Sequence, residues 1–149
     1  MRLLLDTNVL VLLIVGSLST DLIGQKAKLK NFDLDDFVLV ARIAREATSH
    51  ISTPNVLTEV SNHLGSGKQQ LVPGGLEEFA KFVFLLDEFH FPSNEIVRMP
   101  EFNSLGLTDA GILRLADDKT CVVSVDFHLC NRLAGKGVDV INPRNAQPV

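Results

Sequence analysis

Four acidic residues stand where acids are unusual: Asp6, Glu59, Asp109 and Asp126. Asp6 closes the apolar run RLLLD, and Asp126 closes TCVVSVD. Glu59 and Asp109 fall on or beside the apolar faces of two segments with helical periodicity. An unpaired carboxylate in apolar surroundings costs several kcal/mol, so a fold retains one only with a partner or a purpose. Taken singly, each acid has an ordinary explanation. Asp109 can complement a helix N-terminus, Glu59 can sit solvated on a helix shoulder, and Asp6 and Asp126 can cap turns. Taken together they suggest one anionic pocket whose natural occupant is a hard divalent cation, Mg²⁺ or Mn²⁺.

The neighbours of these acids fit such a pocket. Thr7 and Asn8 follow Asp6, and Ser124 precedes Asp126. Neutral side chains of this kind orient carboxylates or hold a water. His63, one turn after Glu59, is a weaker supporting candidate, while His50, His90 and His128 have no ligand spacing. Asp33, Asp35 and Asp36, like Asp87-Glu88 and Asp117-Asp118, read as solvated acids. The loop GSGKQQLVPGG carries four of the ten glycines, but Lys68 lacks the upstream glycine spacing of a phosphate-binding loop. Cys121 and Cys130 flank Asp126 without a second pair to complete a zinc site, which fits a reducing compartment. No side chain reads as a covalent nucleophile with a paired base.

The elements must bring these residues together. The chain has 149 residues and is 46% hydrophobic, enough for one domain over 1–149 with a real core. Its formal net charge of −4 removes the general electrostatic case for nucleic-acid binding, although a cation in an acidic pocket can still present positive charge to a phosphate. The greasy N-terminus is interrupted by Asp6 and Asn8 and is too short to span a bilayer, so it reads as strand, turn and buried helix in a cytoplasmic protein. Residues 2–5 form an all-apolar strand covered on both faces. Asn8 can cap a helix through Val15, and 17–31 is irregular with lysines at 26, 28 and 30. Asp33 can cap a helix to about His50, followed by a short strand at 50–52. Thr53 and Pro54 open a helix to about Leu64. A further helix covers 76–88, a strand 95–99, and a helix opens near Thr108. TCVVSV is the clearest strand; a helix after Asp126 leads to a last strand at 138–141. Strands alternating with helices predict an α/β/α sandwich around a mainly parallel sheet. Asp6 and Asp126, each first after a strand, then project from the carboxyl edge. At about 100° per residue, Asp109 shares its face with Ile112, Leu113 and Ala116, while Glu59 flanks the stripe of Val56, Leu57, Val60 and Leu64.

Four segments together resemble the PIN-domain nucleases: LLLDTN at 3–8, ISTPNVLTEVSN at 51–62, LTDAGILRLA at 107–116, and VVSVDFHL followed by GKGVDVINP within 122–143. The resemblance runs through most of the chain and rests on the order of the motifs. It implies a three-layer α/β/α fold, an acidic site for Mg²⁺ or Mn²⁺, and cleavage of phosphodiester bonds, usually in RNA. Asp6, Glu59, Asp109 and Asp126 match the family's acidic positions, and Asn8 and Ser124 match its frequent polar neighbours. Small members of that family include toxin halves of toxin–antitoxin pairs, which implies an antitoxin partner and a homodimer. Segments 17–31 and 65–75 carry no such signature. Two rivals remain: a PIN-like module that binds RNA or protein without cleaving, and an aspartate-based phosphotransfer protein. The latter wants a second Asp two residues after the first, where Asn8 stands.

Overall fold

The computed structural model describes residues 1–25 and 29–146, so Lys26 and Lys28 lie outside the described residues. Five strands form one wholly parallel sheet, β1 (Arg2–Leu5), β2 (Ser49–Ser52), β3 (Asp87–Glu88), β4 (Thr120–Val123) and β5 (Asp139–Ile141), in the order β3-β2-β1-β4-β5. Helices flank the sheet to complete the three-layer α/β/α sandwich that the sequence pattern predicts. Parallel strands need crossovers, and helices supply them. Every residue of β4 is buried, as are Leu3, Leu4 and Leu5 of β1, because helices cover both faces of the central strands. No helix among the described residues is long and apolar enough to cross a membrane.

The order of the strands fixes where ligands gather. From β1 the chain builds outward through β2 and β3, then returns to the other side of β1 with β4 and β5. The crevice beyond the carboxyl ends of β1 and β4 is therefore the topological switch point, where open α/β sheets bind their ligands. Leu5 pairs with Val123 in the register, which leaves Asp6 opposite Ser124.

Helix α1 (Thr7–Leu18) follows β1 without a loop and is apolar almost all round, so it is a core helix. Asp6, not Asn8, caps it: the carboxylate accepts from Thr7 N, and Asn8 lies inside the first turn. Phe37 from α2 (Leu34–Glu46) occupies the space where a side chain at Gly16 would stand, so the two helices pack closely there. Helix α2 is shorter than the pattern predicts, because Ser49 and His50 are drawn into β2 beside Arg2 and Leu3. Helix α3 (Pro54–Leu64) runs as expected from its Thr53 cap. Helix α4 (Gly75–Leu85) ends before Asp87-Glu88, which pair with β2 as the edge strand β3; the edge strand beside β2 is here, not at 95–99. Ser93–Ile96 instead forms the short helix α5. Helix α6 (Phe102–Leu115) is broken at Gly106, whose φ of 81° suits glycine, so its second half opens close to Thr108 as predicted. Helices α7 (Phe127–Gly135) and α8 (Pro143–Ala146) close the described chain.

Candidate acidic site at the switch point

The sheet sets two of the acids in place before any side chain acts. Asp6 N donates to Val123 O at 3.0 Å, extending the β1–β4 ladder by one residue. The Asp6 carboxylate then accepts twice, from Thr7 N at 2.8 Å and from Ser124 Oγ at 2.7 Å. Ser124 is fully buried and also accepts from Asp126 N at 3.0 Å. One hydroxyl thus ties the two strand-end acids together. Asp126 Oδ1 caps α7 by accepting from Leu129 N at 2.9 Å. Both acids do cap helices, as the ordinary explanation holds, yet both also line a shared hollow.

That hollow has a volume of about 370 Å³ and is lined by Asp6, Thr7, Asn8, Glu59, His63, Asp109, Val125 and Asp126. All four acids singled out in the sequence therefore meet in one concavity, from four different elements. Asn8 and Ser124 take the supporting places expected of them, Asn8 on the wall and Ser124 beneath. His63 joins the wall because it stands one turn beyond Glu59 on α3. Glu59 itself is exposed on the shoulder of that helix.

Charge in the hollow is poorly compensated. The Asp109 side chain makes no hydrogen bond or ion pair among the described residues. Burial pushes its carboxyl from 3.8 up to about 7, with the charges of Asp6, Asp126 and Glu59 adding to the rise. Burial also raises Asp6, against the pull of its bonds to Ser124 and Thr7, while Asp126 and Glu59 push it further up. Asp6 is the more deeply buried of the two, although the helical stripe makes Asp109 look the more enclosed. Cys130 sits behind this wall with Sγ directed at Ser124 O at 3.4 Å; burial and the nearby acids raise its pKa and keep it a thiol.

Thr7 adds a feature that its sequence position alone does not reveal. It is only 8% exposed, and its hydroxyl is buried with no hydrogen-bond partner among the described residues, although the residue lines the hollow. A buried hydroxyl without a partner costs about 1–3 kcal/mol. Among the described residues, no three His, Cys, Asp or Glu side chains converge closely enough to enclose an ion by themselves. Hydrogen bonds turn Asp6 toward Ser124 and Asp126 toward the α7 backbone, and like charge works against closer approach.

No protein-family model matches this chain, and no curated protein matches it either.

Proposed function

We propose that this protein is a metal-dependent ribonuclease that hydrolyses RNA phosphodiester bonds in the acidic hollow. One observation carries the reading: Asp6, Glu59, Asp109 and Asp126 reach the same hollow at the switch point of a parallel sheet. Maintaining four like charges there opposes folding, and a bound cation removes the opposition. The resemblance of the four motifs to PIN-domain nucleases supplies the substrate class. Asp6 and Asp126 would hold Mg²⁺ or Mn²⁺ directly, with Glu59 and Asp109 as further ligands or as acceptors for ordered water. Such a cation, when bound, acidifies water and offsets charge that builds on a phosphate during displacement.

The chain's own groups supply the rest. Ser124 fixes the spacing of Asp6 and Asp126 by donating to one and accepting from the other. Asp109 faces the hollow and makes no side-chain hydrogen bond among the described residues, so its carboxylate is placed to accept a proton from attacking water. The Asn8 amide, on the wall of the hollow, offers a neutral partner to water or to a phosphate oxygen. The test is to incubate purified protein with mixed RNAs in Mn²⁺ and in EDTA. Cleavage in Mn²⁺ alone is expected; cleavage in both, or in neither, removes the reading.

The same reading extends to partners and place. Under it the protein is a cytoplasmic toxin that can pair with itself and with an antitoxin. Co-expression with the product of an adjacent small reading frame should yield a complex that no longer cleaves RNA. An adjacent product that neither binds nor inhibits would remove the toxin–antitoxin part and leave the nuclease.

A further inference from the structure

A second concavity is built on two of the helices that carry the acidic hollow, and its wall is mainly basic. It is a groove of about 500 Å³ between α6 and α7, walled by Met99, Glu101, Arg114, Asn131, Arg132 and Lys136. Leu113, its buried floor, stands one turn beyond Asp109 on α6. The same two helices therefore carry both sites. Arg114 is five residues past Asp109, and Arg132 is six past Asp126, which is roughly 7–9 Å along the helix axis and about 120–140° around it. Three cations face one acid, Glu101, in a chain whose net charge is −4.

The three cations are not equivalent. Lys136 Nζ donates to Leu113 O and to Ala116 O, both at 2.6 Å, so it closes the end of α6. Among the described residues, no carboxylate offsets its charge. Arg114 lies 3.6 Å from Glu95 and stacks over the Phe91 ring at 5.1 Å, which holds its guanidinium at the rim. Arg132 is exposed on α7, and its side chain makes no hydrogen bond or ion pair among the described residues. Its guanidinium stands above a cationic groove with nothing in the described fold to hold it.

Electrostatics gives the groove a reason. A polyanionic strand approaching four carboxylates is repelled, and a bound cation offsets only the nearest phosphate. Sustained attraction must come from a basic surface elsewhere on the chain, and the groove between α6 and α7, the helices that also carry Asp109 and Asp126, is such a surface. We infer that this groove holds the phosphate backbone of single-stranded RNA and leads the strand into the acidic hollow. The inference rests on the nuclease reading for the identity of the strand. The groove's recognition is of backbone phosphates, so a DNA strand of equal length is the natural comparison.

The experiment measures anisotropy of labelled single-stranded RNA and DNA oligonucleotides in EDTA, across a salt series. Arg132→Glu should weaken binding about tenfold or more, and the slope of log K against log salt should shrink by about 0.7 for each phosphate no longer neutralised. Arg132→Lys should restore binding, since a phosphate track reads charge. Lys81→Glu makes the same charge change on α4, whose partners are α1 and α3, and should bind like wild type. The Arg132 side chain has no structural partner among the described residues, so its variants should fold as wild type does; a melting curve verifies this. Equal weakening by Arg132→Glu and Lys81→Glu, or no RNA binding by the wild type, overturns the inference. A wild type that binds RNA through Arg132 yet never cleaves it leaves the groove standing and removes the nuclease reading alone.

Discussion

Asp36 and Asp109 are two acids in the same sequence setting with opposite structural fates. Each lies on the apolar stripe of a helix: Asp36 with Val40 and Ile43 on α2, Asp109 with Ile112 and Leu113 on α6. Asp36 is only 1% exposed, yet it is provided for. It accepts from Asp33 N at 2.9 Å while its own N–H donates to Asp33 at 2.9 Å, and Arg144 of α8 stands 3.7 Å away. Burial raises its carboxyl, the Asp33 charge adds to the rise, and the Asp33 N–H and Arg144 pull it down. Asp109 has more solvent and no such relief: burial and three neighbouring acids all push it up. A structural acid brings its own countercharge and donors. An acid left with only other acids keeps its proton to higher pH, and a cation that displaced the proton would relieve the same repulsion.

The largest expected effect tests that distinction by activity. Asp6→Asn and Asp126→Asn should each lower Mn²⁺-dependent RNA cleavage about a hundredfold or more, roughly 3 kcal/mol of barrier, since an amide supplies no charge to hold the cation. Asp118→Asn, an exposed acid on the turn before β4, should cleave normally. Asp117 is a poorer control, because it accepts from Lys119 N, Thr120 Oγ1 and Arg2. Ser124→Ala should fall between, about 10–100-fold down, through lost alignment of both acids. Equal rates for all these variants would place the four acids with Asp36 as structural features.

Asp36→Ala tests the other half of the comparison. Removing its bond to Asp33 N and its contact with Arg144 should cost about 1–3 kcal/mol, seen as about 2–4 °C of melting temperature per kcal/mol. The loss should be the same in EDTA and in Mn²⁺, and cleavage should continue. A Mn²⁺-dependent loss would show that Asp36 communicates with the hollow and is not a purely structural acid.

The two acids also mark what a sequence reveals. The α/β/α layering follows from all-apolar strands alternating with helices, and the convergence of the four acids follows from strand ends plus helical angle. Both are local patterns. Asp36 carries the same pattern as Asp109, but Asp33 and Asp35 beside it suggest a solvated cluster, and its burial depends on Arg144, more than a hundred residues on. The edge strand at Asp87–Glu88 is hidden in the same way: the stretch has helical periodicity up to Leu85, and only pairing with β2 makes the next residues a strand. The α6/α7 groove leaves no local trace, because Arg114, Arg132 and Lys136 are spaced over 23 residues and become neighbours only when two helices pack. Partners distant in sequence are the illegible part.

The smallest effect is also the most discriminating, because it needs no substrate. Asp109 titrates near 7 in the folded protein and near 4 in the unfolded chain. Between those values the folded state holds a proton that the unfolded state has released. Stability in EDTA therefore falls as pH rises through that window: the contribution of protonated Asp109 is full below about pH 4 and gone above about pH 7. The hollow is open to water, and screening holds the effect to the order of 1 kcal/mol. Asp109→Asn should flatten this slope and raise the melting temperature in EDTA at pH 8 by about 2–4 °C. Mn²⁺ should reverse the ranking. At a hundredfold excess over Kd, a cation that binds only the folded state adds about 2.7 kcal/mol to the wild type, and Asp109→Asn should gain less from it. Calorimetry at pH 5 and pH 8, with EDTA and with Mn²⁺, reads all four corners. If Asp109→Asn destabilises the protein equally at every corner, Asp109 is a structural acid like Asp36, and the cation site must be built from Asp6, Glu59 and Asp126 without it.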